Sequence, residues 1–120
     1  MNVEDFREFC LYKAHVTESL PFREETLVFK LNGKIFALLS LVNEPGCNLK
    51  CDPEYAISLR EEYEGIIPGY HMNKKHWNTI RFHSDVNDKF FYDLIDHSYS
   101  LILNKFSKKI QKELAHESTN

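Results

Sequence analysis

Residues 26–42 read TLVFKLNGKIFALLSLV, and this stretch decides the fold. Two runs of apolar and β-branched residues lie on either side of Asn32-Gly33. This pair tolerates the positive φ angles that close two-residue β-hairpins. The sequence therefore predicts a β-hairpin in which Leu31 lies opposite Lys34.

The predicted hairpin has two largely apolar faces, because side chains alternate between the faces along each strand. One face would carry Leu27, Phe29, Leu31, Phe36 and Leu38, and the other would carry Val28, Lys30, Ile35, Ala37 and Leu39. A sheet with one face in water shows polar residues there. We therefore expect the second face to be covered by a helix, a loop or another subunit.

Helical signals occur on both sides of the hairpin. The predicted helices cover residues 3–11, residues 53 to about 63, a long segment that begins between 84 and 89, and a short last segment capped by Ser107. The clearest start is Asp52-Pro53, since aspartate caps free backbone amides and proline fits the first helical turn. In the long segment, apolar residues recur at helical spacing and form one stripe.

Further strands are predicted around the hairpin. They cover residues 16–22, as a short edge strand or an irregular lead-in, and residues 47–51, 70–72 and 77–83. The turn signal Pro45-Gly46 favours an antiparallel connection between the hairpin and the next strand. Together the elements predict an α+β fold, an antiparallel β-sheet with helices packed on it.

The composition describes one domain of 120 residues. Hydrophobic residues make up 42% of the chain and charged residues 28%, which is too apolar for intrinsic disorder. We predict a single domain over residues 1–115 and a polar tail over residues 116–120. The formal net charge of -3 excludes the strongly basic class of polyanion-binding proteins, so any basic site must be local.

No secretory or membrane-spanning segment is expected. Glu4 and Asp5 stand where a signal peptide would carry basic residues, and the longest apolar run, residues 35–42, is far shorter than the ~20 residues that cross a bilayer. Three cysteines, an odd number, favour free thiols in a reducing compartment. We therefore expect a cytoplasmic protein with no membrane partner.

Positive charge is concentrated in residues 67–83. This segment contains Lys74, Lys75 and Arg81 and no carboxylate, whereas residues 31–66 hold three basic and six acidic residues. Clustered cations next to aromatic residues are typical of nucleic-acid contacts. The predicted contact residues are Asn73, Lys74, Lys75, His76, Trp77, Asn78, Thr79 and Arg81.

In this hypothesis the cations neutralise phosphates, the amides and Thr79 donate hydrogen bonds, and Tyr70 and Trp77 stack on a base. The alternative is structural: Trp77, Ile80 and Phe82 would belong to the core, and the lysines would only solubilise a turn. A second basic cluster, formed by Lys105, Lys108, Lys109 and Lys112, is explained by the attraction of cations to a helix carboxyl end.

Catalysis and metal binding are not expected. His71, His76, Arg81 and Cys51 are the residues an enzyme would recruit, but no phosphate-binding glycine loop, nucleophile elbow or zinc-helix motif is present. His71, His76 and His83 lack a fourth ligand at zinc-site spacing. His97 is expected to pack within the long helix. We predict no cofactor, no metal and no catalytic residue.

Several separated motifs resemble the MmcQ/YjbR family of small bacterial proteins. They are PGYHMNKKHWNT at 68–79, Asn32-Gly33-Lys34 followed by Phe36-Ala37, Cys51-Asp52-Pro53-Glu54, Leu59-Arg60-Glu61, and Asp96-His97-Ser98-Tyr99 followed by Leu103 and Lys108-Lys109. The motifs occur in the family's order and cover nearly the whole chain. Ser107 stands where the family pattern has proline, and residues 83–87 look irregular for it.

The resemblance implies a CyaY/frataxin-like or secretion-chaperone-like α+β fold, and a double-wing DNA-binding module. The most distinctive motif of the family matches residues 73–79. We expect a non-enzymatic binding protein that contacts DNA through residues 70–83. The alternative is a protein-interaction or chaperone-like module, or a homodimer, that uses the apolar second face of the hairpin.

Overall fold

A computed structural model describes residues 1–20, 25–42, 45–69 and 72–118. Six antiparallel strands form one sheet in the order β1-β2-β3-β4-β6-β5. The strands are β1 (Val16–Ser19), β2 (Thr26–Leu31), β3 (Lys34–Ser40), β4 (Gly46–Lys50), β5 (Ile66–Pro68) and β6 (Trp77–Arg81). The predicted hairpin is β2 and β3, with Leu31 opposite Lys34 as expected.

Four helices accompany the sheet, and this arrangement confirms the α+β prediction. They are α1 (Val3–Tyr12), α2 (Pro53–Glu62), α3 (Asp88–Leu103) and α4 (Lys108–Ser118). Each start is capped by a side-chain oxygen that accepts a backbone amide, and the capping residues are Asn2, Asp52, Asn87 and Ser107. The last helix includes residues 116–118 of the segment predicted as a polar tail.

One face of the sheet is covered by α1, α2 and α3. Their apolar side chains join those of the strands in one core, whose largest fully buried members are Phe6, Phe29, Phe36 and Phe91. Burying a side chain of this size stabilises the fold by roughly 1.5–3 kcal/mol. We call this surface of the sheet the covered face.

The hairpin contains a β-bulge that the sequence did not predict. Lys30 pairs with Ile35 but Phe29 pairs with Ala37, so Phe36 is an extra residue on β3. The shift by one residue moves Ala37 and Leu39 to the covered face with Phe29, and moves Leu38 to the opposite face with Val28. The predicted faces were therefore wrong for Ala37, Leu38 and Leu39.

The bulge is held by the long helix. Ser98 of α3 is fully buried, and its hydroxyl donates to the carbonyl of Phe36 at 2.5 Å. The same oxygen accepts the backbone amide of Lys50 at 3.0 Å. Ser98 thus satisfies two backbone groups where the regular strand pairing is interrupted.

The opposite surface of the sheet, which we call the open face, carries a small second cluster. Val28, Leu38 and Trp77 are buried there, and Ile35 and Met72 pack against them. In the part of the chain that the structure describes, this cluster contains no helix residue. The second face of the hairpin therefore packs against Trp77 of β6, which was not among the expected covers, and against the loop residue Met72, which agrees with the expected loop.

The strand predictions need correction at two places. Residues 66–68 form β5, where the sequence predicts no strand, and β6 ends at Arg81 rather than at residue 83. Of the predicted strand at 70–72, Tyr70 and His71 lie outside the described residues, and Met72 is in a bend. Residues 21 and 22 of the predicted lead-in are also outside them. Among the described residues, no helix is long and apolar enough to cross a membrane.

Candidate nucleic-acid interface

The basic segment forms a turn followed by β6. We define residues 73–76 as the basic turn. The side-chain oxygen of Asn73 accepts the backbone amide of Lys75 at 2.9 Å, and its carbonyl accepts the amides of His76 and Trp77 at 3.2 and 3.0 Å. Asn73 therefore shapes the turn through local side-chain and backbone bonds, a common role for asparagine.

Arg60 of α2 fastens the basic turn to the body of the protein. Its guanidinium donates to the side-chain oxygen of Asn78 at 2.6 Å, to the carbonyl of Trp77 at 3.4 Å and to the carbonyl of Lys74. The side chain is half-buried. Because one planar, charged group serves acceptors within the turn and at the start of β6, the turn is held in one orientation relative to α2.

Asn78 has a structural role instead of the predicted contact role. It is 2% exposed on the covered side of β6. Its oxygen accepts from Arg60, and its nitrogen donates to the carbonyl of Ala56 at 3.4 Å. A side chain in this position cannot reach a nucleic acid, and it instead fixes Arg60.

Trp77 also packs rather than stacks. It is 7% exposed and lies over Val28 and Leu38 in the second cluster. A Cβ at Gly69 would stand 2.7 Å from the Cβ of Trp77, so the absence of a side chain at Gly69 allows this packing. The structural alternative is therefore correct for Trp77, Ile80 and Phe82, all of which are buried. Tyr70 lies outside the described residues.

The remaining predicted residues are accessible. Asn73, Lys74, Lys75 and Arg81 are exposed, and His76 and Thr79 are half-buried. The hydroxyl of Thr79 donates to the side-chain oxygen of Asn48 at 2.5 Å. Accessible groups in the predicted set are therefore mainly the three cations and Asn73.

The three cations lie at the two ends of one strand. Lys74 and Lys75 precede β6, and Arg81 is its last residue, roughly 13 Å from Trp77 along an extended strand. Arg81 shares the open face with Thr79, since residues two apart point the same way. The ion pairs of the described residues are Met1–Asp88, Arg7–Glu18 and Lys13–Asp96, so none of them neutralises these cations.

Arg81 also borders a groove of about 530 Å³ whose lining includes Glu64, His83 and Asp85. The Asp85 carboxylate accepts the amides of Gly65 and Glu64 at 2.8 and 2.9 Å, and these bonds lower its pKa. His83 has a positive φ of 55°. The carboxylates of Glu64 and Asp85 make the groove less favourable for phosphate than the basic turn is.

The described residues contain no group of histidine, cysteine and carboxylate side chains that could hold a metal ion. His71, one of the predicted candidates, lies outside them. The ring of His97 accepts the backbone amide of Asp52 at 3.2 Å, and burial lowers its pKa. Burial raises the pKa of the Cys51 thiol to about 11, so this thiol is protonated at neutral pH.

All three cysteines, Cys10, Cys47 and Cys51, are free and buried, as the sequence predicts for free thiols. Sequence reasoning missed Arg60 as the residue that holds the turn. Its only signal was its position in the Leu59-Arg60-Glu61 motif. Nothing in the spacing indicates that the guanidinium of α2 reaches Lys74.

Several known proteins are similar to this chain in sequence. A family model described as YjbR matches residues 11–101. The protein YbdF of Escherichia coli O157:H7 is 41% identical over 95 residues, which are 78% of each chain. The protein YjbR of Escherichia coli strain K12 is 29% identical over 115 residues, covering 95% of this chain and 98% of the relative.

A solved structure is also similar. The crystal structure of Deinococcus radiodurans protein DR2400, with the domain DUF419, superposes with a TM-score of 0.88 and 38% sequence identity. The match covers 95% of this chain and 88% of that chain. These similarities agree with the resemblance carried by the sequence motifs.

Proposed function

The chain belongs to the YjbR family, and we propose that it is a non-enzymatic module that binds the phosphate backbone of DNA through the basic turn and Arg81. The observation that carries this proposal is the exposure of Lys74, Lys75 and Arg81 without a neutralising carboxylate among the described ion pairs. Exposed, unpaired cations are the groups that replace the counterions of nucleic acid.

The geometry favours backbone binding over base reading. The side chains that could have read bases, Trp77 and Asn78, are buried. The roughly 13 Å between the ends of β6 corresponds to about four nucleotides along one strand of a duplex. We therefore expect weak binding with little sequence preference.

The basic turn is also ready to bind without rearrangement. Arg60 and Asn73 fix its backbone through the bonds described above, so a bound phosphate would not have to order the turn. Preorganisation of this kind reduces the entropy lost on binding. It explains how an otherwise acidic molecule can hold two adjacent lysines in position for a polyanion.

The proposal can be tested by charge variants. Fluorescence anisotropy of a labelled 20-base-pair duplex at low salt would compare wild type, Lys74→Gln/Lys75→Gln/Arg81→Gln and a control, Lys89→Gln/Lys109→Gln/Lys112→Gln. Both variants lose three positive charges, and the control removes them from exposed positions on α3 and α4. We expect only the first variant to lose binding. Equal losses would mean that net charge alone governs association.

The second candidate function is that of a protein-interaction module. We propose a cytoplasmic location for the protein under either function. The open-face cluster of Val28, Leu38, Trp77, Ile35 and Met72 is the surface it would use. Its support is weaker because Val28, Leu38 and Trp77 are each 7% exposed or less. Measuring the molecular size of the protein at several protein concentrations, with and without the basic-turn substitutions, distinguishes a dimer from a DNA-binding monomer.

A further inference from the structure

Two consecutive backbone amides connect the basic turn to the long helix. The amide of Cys51 donates to the carbonyl of His76, the last residue of the turn, at 2.8 Å. The next amide, that of Asp52, donates to Nε2 of His97 on α3 at 3.2 Å. The segment between β4 and α2 is therefore bonded to the basic turn on one side and to the ring of His97 on the other.

The ring of His97 is held against the start of α2. The ring of Tyr55 meets it in a T-shaped contact, with centroids 5.3 Å apart and planes at 85°. The Asp52 carboxylate caps α2 by accepting the amide of Tyr55 at 3.3 Å. His97 is half-buried and borders a cavity of about 10 Å³, which is the size of one water molecule. The ring thus has little room on the side of α2.

Only the neutral form of His97 can make the bond to Asp52. A backbone amide is a donor, so Nε2 must carry no proton in order to accept it. A proton on Nε2 would place two N–H groups opposite each other. The neutral ring and the imidazolium therefore require different arrangements of the segment that bonds to the basic turn.

The titratable groups on the elements packed against the ring, and beside it on its own helix, are those of Lys50, Cys51, Asp52, Tyr55, Asp93 and Asp96. Burial of the ring lowers the pKa of His97, and the Asp52 carboxylate opposes this shift without cancelling it. His97 in the folded protein therefore becomes charged below the ordinary histidine value of ~6.5.

We propose that His97 positions the basic turn and makes that position depend on pH; the consequence for DNA rests on the proposed function. The neutral ring holds the Asp52 amide and, through the adjacent peptide, keeps the Cys51 amide on the carbonyl of His76. The imidazolium repels the Asp52 amide and attracts the Asp52 carboxylate away from α2. The turn then loses its bond at His76 and keeps the bond that Arg60 makes to the carbonyl of Lys74.

The expected sign is opposite to that of simple electrostatics. Protonation of histidines adds positive charge, which by itself strengthens binding to phosphates. Loss of one backbone hydrogen bond from a preorganised turn instead weakens binding by about fivefold. DNA affinity should therefore be constant above the titration of His97 and fall as His97 becomes charged.

Amide NMR shifts test the linkage without DNA. The ¹⁵N-labelled variants His76→Gln and His76→Gln/His97→Gln are titrated from about pH 8 to about pH 5, and the shared substitution removes the titratable ring of the turn itself. We expect the amides of Asp52, Cys51 and Lys75 to shift with one common midpoint in the first variant. In the second they should stay unchanged, because glutamine offers an acceptor oxygen and does not titrate. A midpoint at Asp52 that is absent at Lys75 would overturn the proposal.

A DNA arm measures the consequence for binding. Anisotropy of the labelled duplex is followed over the same pH range at constant ionic strength. We expect affinity to fall about fivefold in His76→Gln relative to His76→Gln/His97→Gln as the pH drops. The control His76→Gln/His116→Gln removes a histidine from an exposed position on α4 and should keep this fall.

Equal pH profiles of His76→Gln and His76→Gln/His97→Gln would overturn the role of His97 in DNA binding and leave the proposed function intact. Failure of wild-type protein to bind DNA at any pH would instead refute the proposed function. The amide shifts would then still decide whether His97 positions the turn.

Discussion

The two faces of the sheet differ in packing and in exposed charge. The covered face packs against α1, α2 and α3 in one core with four fully buried phenylalanine side chains, whereas the open face carries a small cluster and lies beside the exposed basic turn and Arg81. The comparison predicts that stability and the proposed DNA binding depend on separate sets of residues. Substitutions on the covered face should change unfolding, and substitutions of exposed cations should change binding.

The largest effect is expected in the core. Phe91→Ala removes a ring that is fully buried and lies 5.5 Å from the ring of Phe82. We expect the free energy of unfolding to fall by about 3–5 kcal/mol, because a cavity adds to the lost transfer energy. Urea denaturation measures this loss. Unchanged stability would show that the covered face is not the main core.

Substitution of Arg60 should affect both the unfolding free energy and DNA binding. Arg60→Lys keeps the charge but cannot serve Asn78, Trp77 and Lys74 together, so we expect a loss of about 1.5–3 kcal/mol in unfolding free energy. We also expect weaker DNA binding, since the basic turn loses its anchor. The anchoring role of Arg60 is wrong if binding stays at the wild-type level while the stability falls.

Protonation of His97 provides a smaller effect that depends on pH. Burial lowers the pKa of His97 in the folded protein, although Asp52 opposes this shift. Below the ordinary histidine pKa of ~6.5, the unfolded chain therefore binds a proton that the native state resists. The contribution of His97 should lower the unfolding free energy as the pH drops below ~6.5, and that contribution should be constant above this value.

The matched variant is His97→Gln, which cannot titrate in this range. Urea denaturation of wild type and His97→Gln at a series of pH values isolates the contribution of this histidine. The two proteins should diverge only in the acidic range. Parallel pH profiles would assign the acid sensitivity to other groups.

The smallest effect on stability is expected for the exposed cations. Lys74→Gln/Lys75→Gln should change the unfolding free energy by less than about 0.5 kcal/mol per site, because both side chains are exposed and take part in none of the ion pairs of the described residues. The same substitutions should abolish most DNA binding. A large loss of stability would show that the exposed cations contribute to stability as the buried residues of the covered face do.

Much of the fold could be predicted because its signals are local. The Asn32-Gly33 turn, the Asp52-Pro53 helix start and the apolar stripe of α3 depend on neighbouring residues only. The bulge at Phe36 could not be predicted, since the hydroxyl that bonds its carbonyl comes from Ser98, which is distant in the sequence. The one-residue shift at the bulge changes the face on which three apolar residues lie.

At the candidate site, too, the local features could be predicted from the sequence and the long-range contacts could not. The exposure of Lys74 and Lys75 follows from a polar turn, which the sequence shows directly. The burial of Trp77 and Asn78 follows from packing against Val28 and a hydrogen bond to Arg60, and no spacing rule predicts those long-range contacts.

The most direct test of the DNA-binding account is the salt dependence of association. If Lys74, Lys75 and Arg81 each neutralise one phosphate, the logarithm of the binding constant should fall against the logarithm of salt concentration with a slope of about -3 on duplex DNA. The triple Gln variant should show a slope near zero with little residual binding. A wild-type slope near zero, or an unchanged slope in the variant, would contradict the account.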